Sequence, residues 1–110
     1  MQIIKKQNEF KQIYQKHEKL EGKYFLFFYQ KIPEDLFKVG IVVNKKVGKA
    51  VVRNKIRRRI KAFFQQNQQK LPEKIRLLII AKWNSGKATW QEICDDIARG
   101  LQKIADENLE

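Results

Sequence analysis

Five apolar residues set inside a crowd of positive charge constrain this chain more than any other feature. Val52, Ile56, Ile60, Phe63 and Phe64 recur at i, i+4, i+8, i+11 and i+12, the spacing of an apolar stripe along one side of an α-helix. From Lys45 to Lys61 they are interleaved with nine cations and no acid: Lys45, Lys46, Lys49, Arg53, Lys55, Arg57, Arg58, Arg59 and Lys61. Aspartate and glutamate are absent from Leu36 through Pro72. A solvated basic tail has no such stripe. The stretch predicts a basic helix over about Ala50 to Gln66, docked by its apolar side on a core and entered through a Gly-containing turn at Lys46 to Lys49. Pro72 is expected to stop it.

The flanks say what that core is. Leu36 to Asn44 alternates, with Phe37, Val39, Ile41 and Val43 on one face and Lys38, Gly40, Val42 and Asn44 on the other, which predicts a strand. Ile75 to Lys82 (IRLLIIAK) has little alternation, as a central strand covered on both faces does. A strand, a helix and a strand in that order suggest a crossover between parallel strands. Upstream, Lys23 to Gln30 (KYFLFFYQ) is an aromatic strand whose two faces both need some cover. It is expected to form a hairpin with the strand that follows the Pro33-Glu34-Asp35 turn. Phe10, Ile13, Tyr14 and His17 predict a short helix over 5–17. Thr89-Trp90-Gln91-Glu92 has the pattern of a capping box and opens a last helix carrying Trp90, Ile93, Ile97, Leu101 and Ile104. The expected fold class is α/β (α+β): residues 1–110 as a single-domain α-β sandwich, with a small, mostly antiparallel sheet, one β-α-β crossover and helices packed on it.

The chain carries 24 cations against 12 acids, a net charge of +12. Residues 92–110 alone are net −4, so residues 1–91 are net +16. Self-repulsion on that scale destabilises a compact state and usually reflects a polyanionic partner. The single cysteine, Cys94, excludes an internal disulfide and a cysteine zinc site. It reads as a small core residue. The first residues, MQIIKKQNEF, have no apolar secretory core, and no apolar run approaches the roughly 20 residues that span a bilayer. The cytoplasm is therefore the expected compartment.

Advancing about 100° per residue from Val52, Arg53, Arg57 and Lys61 form one row beside the stripe, and Asn54 and Arg58 the adjoining row. Lys55 and Arg59 fall near the other apolar edge. Cations at i, i+4 repel one another, and a line of phosphates relieves that repulsion. Arginine grips phosphate with a planar fork, and lysine adds point charge. Asn54 can donate and accept at a base edge or a 2′-hydroxyl. A solvated helix face, with Asn54 capping the helix, is the alternative. Nine cations in 17 residues without an acid favour a nucleic-acid surface.

The run GIVVNKKVGKAVVRNKIRRRIKAFF resembles the signature of the bacterial ribonuclease P protein component. The likeness rests on Gly40, Val43, Lys45, Lys46, Gly48, Ala50, Val51, Arg53, Asn54 and Arg58, with Arg57 and Lys61 as conservative exchanges. Lys55 stands where that family has the second arginine of an Arg-Asn-Arg core, and Asn44 where it has serine. The resemblance extends over about residues 4–104. It implies a left-handed β-α-β crossover, against the usual rule. It also implies binding of a catalytic RNA through Lys45, Lys46, Lys49, Arg53, Asn54, Lys55, Arg57, Arg58 and Lys61. The 5′ leader of precursor tRNA would lie in a cleft where Phe10, Tyr14 and Phe28 match the family's positions. Unpaired bases stack on exposed rings without regard to sequence, although aromatics at such spacings are more often core. Tyr24 and Leu26 share a face with Phe28 and are weaker candidates.

No catalytic side chain and no metal ligand set are expected. The acidic pairs, Glu34-Asp35 and Asp95-Asp96, lack a visible third ligand, and His17 is the only histidine. The chemistry is assigned to the RNA and to Mg²⁺ held mainly by it, with ribonuclease P RNA and precursor tRNA as partners. A basic RNA-binding protein of ribosomal type is the alternative. A helix-turn-helix DNA binder fits poorly because strands flank the basic helix. A membrane-surface helix fits worse, because the stripe is needed to cover the sheet.

Overall fold

The computed structural model describes residues 1–4, 11–13 and 18–107. Five strands, β1 (Gln2–Ile3), β2 (Glu18–Glu21), β3 (Phe25–Lys31), β4 (Phe37–Val42) and β5 (Ile75–Ala81), form one sheet in the order β1-β4-β5-β3-β2. The basic helix runs Ala50–Gln66 and the closing helix Trp90–Glu107. Short 3₁₀ segments occupy Lys45–Val47, Gln68–Lys70 and Trp83–Lys87.

The predicted crossover is present: β4 and β5 are parallel neighbours joined through the basic helix. The hairpin between β3 and β4 is not. β5 lies between them, antiparallel to β3 and parallel to β4. The physical reason is the composition of β5. Nearly every residue of it is buried, so both of its faces and both of its edges need partners, and β3 and β4 supply the edges. The hairpin that does form joins β2 to β3, closed by the Gly22 N–H donating to the Phe25 carbonyl at 2.8 Å. With β1 parallel to β4, the sheet is evenly mixed rather than mostly antiparallel.

The main core lies on the helix side. Phe25, Phe27 and Tyr29 of β3, Phe37 and Val39 of β4, and Ile75, Leu77 and Ile79 of β5 pack against both long helices. The basic helix contributes its predicted stripe, with Ile56, Ile60, Phe63 and Phe64 buried and Val52 at the margin. Phe64 meets Phe37 at 5.7 Å between ring centroids and Phe63 edge-on at 5.5 Å. Each ring's burial contributes about 2–3 kcal/mol. The closing helix comes close to the sheet at Gly100, where an added Cβ would stand 2.6 Å from the Phe27 ring.

The other face of the sheet has a smaller cluster, Ile4, Ile13 and Leu78, with Phe28, Val42 and Ile80 beside it. Residues 11–13 are helical and Ile13 is fully buried, in keeping with the predicted helix. Phe10, Tyr14 and His17 lie outside the described residues.

Three local features fix the ends. Pro72 does not stop the basic helix. It ends at Gln66, where Asn67 turns its side-chain Nδ2 back onto the Phe63 carbonyl at 2.8 Å and competes with further helix. The capping box forms as predicted, with Thr89 N–H donating to Glu92 Oε1 at 3.0 Å and Glu92 N–H to Thr89 Oγ1 at 3.1 Å. Third, Asp95 and Asp96 are not a pair in any chemical sense. Asp95 is exposed and accepts from Gln91 at 2.8 Å. Asp96 is 3% exposed. It accepts the backbone N–H groups of Lys23 at 2.7 Å, Tyr24 at 3.0 Å and Phe25 at 3.2 Å.

The capping box carries a pH dependence. The Thr89 N–H, helped by the Tyr24 hydroxyl at 2.6 Å, holds the Glu92 carboxyl below its ordinary value of 4.5. A carboxyl with a lower pKa folded than unfolded stabilises fully above the unfolded value, and that stabilisation is lost as pH falls through the folded value. Glu92→Gln keeps the shape of the cap and removes the titration. Its stability deficit against wild type is expected to be constant near neutrality and to shrink as pH falls below about 4.5. Urea melts across pH check this, and a deficit independent of pH rules the link out.

Candidate nucleic-acid interface

The interface is built from the turn upward. Asn44 Oδ1 accepts from the Lys46 N–H at 3.2 Å, which tightens the 3₁₀ turn and presents Lys45 and Lys46 to solvent. Gly48 follows with φ 150°, and a Cβ there would stand 3.3 Å from Val52, so glycine suits the site. Lys49 then enters the helix without a side-chain cap, and there is no acid in the first turn. The N–H groups of that turn and the positive end of the helix dipole therefore add to the lysine charges, a favourable arrangement for phosphate.

Along the helix the cations divide by role. Lys45, Lys46, Lys49, Asn54, Lys55, Arg58 and Lys61 are exposed, while Arg53 and Arg57 are half-buried. Arg57 donates to the Val43 carbonyl at 3.2 Å and to Asn54 Oδ1 at 3.4 Å. Arg59 donates to the Ala88 carbonyl at 3.2 Å. These two arginines tether the helix to the end of β4 and to the approach of the closing helix. Asn54 lies one turn inside the helix and does not cap it, so the capping alternative falls. Two shallow depressions flank the exposed row. One is lined by Val51, Asn54, Arg57, Arg58 and Lys61, the other by Lys55, Arg58, Arg59, Ala62 and Trp90. Arg58 borders both. A positively charged ridge with a hollow on either side suits a phosphate backbone crossing the helix.

A family model described as Ribonuclease P matches residues 1–105. The chain belongs to that family. The ribonuclease P protein component of Clostridioides difficile is 35% identical over 104 residues, covering 94% of this chain and 90% of the relative. That of Fusobacterium nucleatum is 32% identical over 104 residues, covering 94% of both chains. Among solved structures, the RNase P protein of Staphylococcus aureus superposes with a TM-score of 0.84 at 30% identity, covering 96% of this chain and 95% of the other. That of Thermotoga maritima gives 0.85 at 22% identity, covering 94% and 97%, a likeness of fold. This chain is thus a ribonuclease P protein component, a subunit of the ribonucleoprotein that processes the 5′ end of tRNA and whose chemistry the RNA carries.

Asn44 and Lys55 depart from the ribonuclease P signature at positions with simple requirements. The turn at Asn44 needs a side-chain acceptor for one N–H, which a serine hydroxyl also offers. Lys55 is exposed and lines a hollow beside Arg58 and Arg59, where point charge serves.

The leader-cleft candidates divide. Phe28 lies on the sheet face opposite the basic helix, half-buried, with Lys19 Nζ 5.8 Å from its ring centroid. Leu26 shares that face, one register step away. Tyr24 does not belong there: it is buried in the main core and bonded to Glu92. Leu78 pairs with Phe28 on one side and Gly40 on the other, and Arg76 pairs with Gln30 and Lys38. A polar, cationic row thus runs beside the Phe28–Leu78–Gly40 row. Sequence reading did not single out Lys38, half-buried on this face, or Arg76, which is buried and bonded to Gln30. Their signal was the period of two, which puts Lys38 on Gly40's face and Arg76 on that of Leu78.

Among the described residues no group of three His, Cys, Asp or Glu side chains is placed to hold a metal ion. Several of their carboxylates have partners within the fold: Asp96 and Glu92 as above, Glu21 with Lys82 at 2.9 Å, and, at the surface, Asp35 with Lys74 at 3.4 Å. Cys94 packs against the core, and burial raises its thiol pKa, which suppresses its reactivity. No helix among the described residues is long and apolar enough to cross a membrane.

Proposed function

We propose that the two faces of the sheet divide the work of this ribonuclease P subunit in the cytoplasm. The basic helix and its turn hold the catalytic RNA through Lys45, Lys46, Lys49, Arg53, Asn54, Lys55, Arg57, Arg58 and Lys61. The opposite face guides the 5′ leader of precursor tRNA past Phe28, with Lys38 toward its phosphates, and the family resemblance assigns Phe10 and Tyr14 to the same task. The observation that carries this reading is the placement of an uncapped, acid-free cationic helix on one side of the sheet and an incompletely covered face with half-buried Phe28 and Lys38 on the other. Mg²⁺ is assigned to phosphate oxygens of the RNA, since the carboxylates described here are spread through the fold. When bound there it supplies the Lewis acidity for phosphodiester hydrolysis. The protein's part is to neutralise phosphate repulsion between two RNAs.

The test follows from that part. Added to catalytic RNA and precursor tRNA at low Mg²⁺, the protein is expected to promote cleavage at the 5′ leader junction, because its cations replace screening that metal otherwise provides. No promotion would overturn the proposal. In the same assay Phe28→Leu keeps apolar packing but removes the ring. It is expected to weaken binding of leader-bearing precursor by roughly 5- to 150-fold, the equivalent of about 1–3 kcal/mol for one stacked base, and to leave mature tRNA unaffected. Equal loss for both substrates would sink the leader assignment.

A further inference from the structure

Of the aromatic residues described, Trp83 alone is open to solvent, at 69% exposure. Its 3₁₀ segment, Trp83–Lys87, is nevertheless firmly held. On one side Asn84 Nδ2 donates to the Lys23 carbonyl at 3.1 Å, and Lys82 N–H to the Tyr24 carbonyl at 2.8 Å. Within it Ser85 is fully buried. On the other side Gly86 lies against the basic turn, where an added Cβ would meet Val47 O at 3.2 Å and Val52 Cγ1 at 3.1 Å. The indole is thus presented from a rigid segment continuous with the cationic surface. Leaving it in water forgoes about 2–3 kcal/mol of burial, which a mobile loop could recover by folding the ring inward.

The surroundings select the occupant. Lys74 through Gln91 contains no acid, Lys87 is exposed, and Glu21, which the segment approaches, is neutralised by Lys82 at 2.9 Å. A flat, partly hydrophobic group carried on a polyanion fits such a place. We infer that Trp83 is a stacking platform for an unpaired nucleobase of the bound RNA, set beside the phosphate contacts of the basic helix. The inference rests on the RNA-binding reading of that helix.

Titrations against the RNA subunit alone, and of the assembled protein–RNA complex against precursor tRNA, distinguish which RNA supplies the base. Trp83→Ala is expected to weaken one of them by roughly 5- to 150-fold, Trp83→Leu by as much, and Trp83→Phe by far less. The slope of log affinity against log salt should stay unchanged, since no cation is removed. Thermal melts should match wild type, the side chain being exposed. Wild-type binding with all three variants within about twofold for both RNAs, against the range expected for one stacked base, overturns the stacking site and leaves the helix reading standing. So does leucine performing as well as phenylalanine. Failure of the wild-type protein to bind either RNA overturns both.

Discussion

Replacing Lys55, Arg58 and Lys61 together by glutamine is expected to weaken binding of the RNA subunit by about two orders of magnitude near ~0.15 M salt. The three side chains are exposed, and glutamine has nearly the helix propensity of lysine and arginine, so the fold should be untouched. Each phosphate contact contributes roughly 0.7–0.9 to the slope of log affinity in log salt. Losing three flattens that slope by about 2–3 units and makes the wild-type and variant lines converge near ~1 M salt. Binding titrations at several salt concentrations, with a thermal melt as control, give both numbers. A deficit that persists undiminished at high salt would refute phosphate contact. The same experiment on Arg57 or Arg59 is less clean, because each also tethers the helix to a backbone carbonyl.

The largest expected effect on stability belongs to Asp96→Ala. The carboxylate receives three backbone N–H groups, at 2.7, 3.0 and 3.2 Å, in a place where it is 3% exposed. Hydrogen bonds to a charged group contribute about 1.5–3 kcal/mol each, and buried donors left unpaired cost about 1–3 kcal/mol each. Because the bonds share one residue they do not add fully, and a loss of about 3–5 kcal/mol is expected. That is a large part of the ~5–15 kcal/mol that holds an ordinary domain together, and lowers Tm by on the order of 15 °C. Asp96→Asn should cost less, because one oxygen still accepts while the amide opposes a donor. The neighbouring Gly22 belongs to the same device, since a Cβ there would stand 2.6 Å from the carboxylate. Calorimetry on the two variants checks the order, and equal stability of alanine and wild type would remove Asp96 from the account.

Asp96 also marks what the sequence withholds. Its partners lie 71 to 73 residues away, and no local pattern announces them, so the residue reads only as half of an acidic pair. Local signals did carry far. The stripe from Val52 to Phe64, the alternation in β4, the unbroken apolar run of β5 and the Thr89–Glu92 capping box each specify an element on their own. β1 is two residues long and β2 reads Glu-Lys-Leu-Glu. Neither holds enough pattern to be told from a loop or a helix end, and both form because a neighbouring strand has an open edge. Sheet order was the main loss. Adjacency in sequence favours a β3–β4 pair, whereas the demand of β5 for cover on all sides overrides it. At the interface, the composition of the cationic row was fully visible. Which cations are exposed and which are tethered depends on the carbonyls of Val43 and Ala88, and so on the tertiary fold.

The position of β5 has a consequence for how the chain reaches this state. β3 and β4 are made early, with β2 along part of one edge of β3 and β1 along part of one edge of β4, yet the strand that pairs with both of them from end to end begins only at Ile75. Phe25 waits for Ala81. Such non-local pairing is slow to nucleate because the loops must close before the contacts reward closure. During synthesis from the N-terminus the aromatic strand and the apolar stripe are therefore exposed before their central partner exists, a state prone to aggregation. The charge that prepares the protein for its RNA is already in place then, since every cation from Lys45 to Lys61 precedes β5. Mutual repulsion of that charge keeps unfinished chains apart, so the surface that binds RNA in the finished molecule also protects the chain while it is being made.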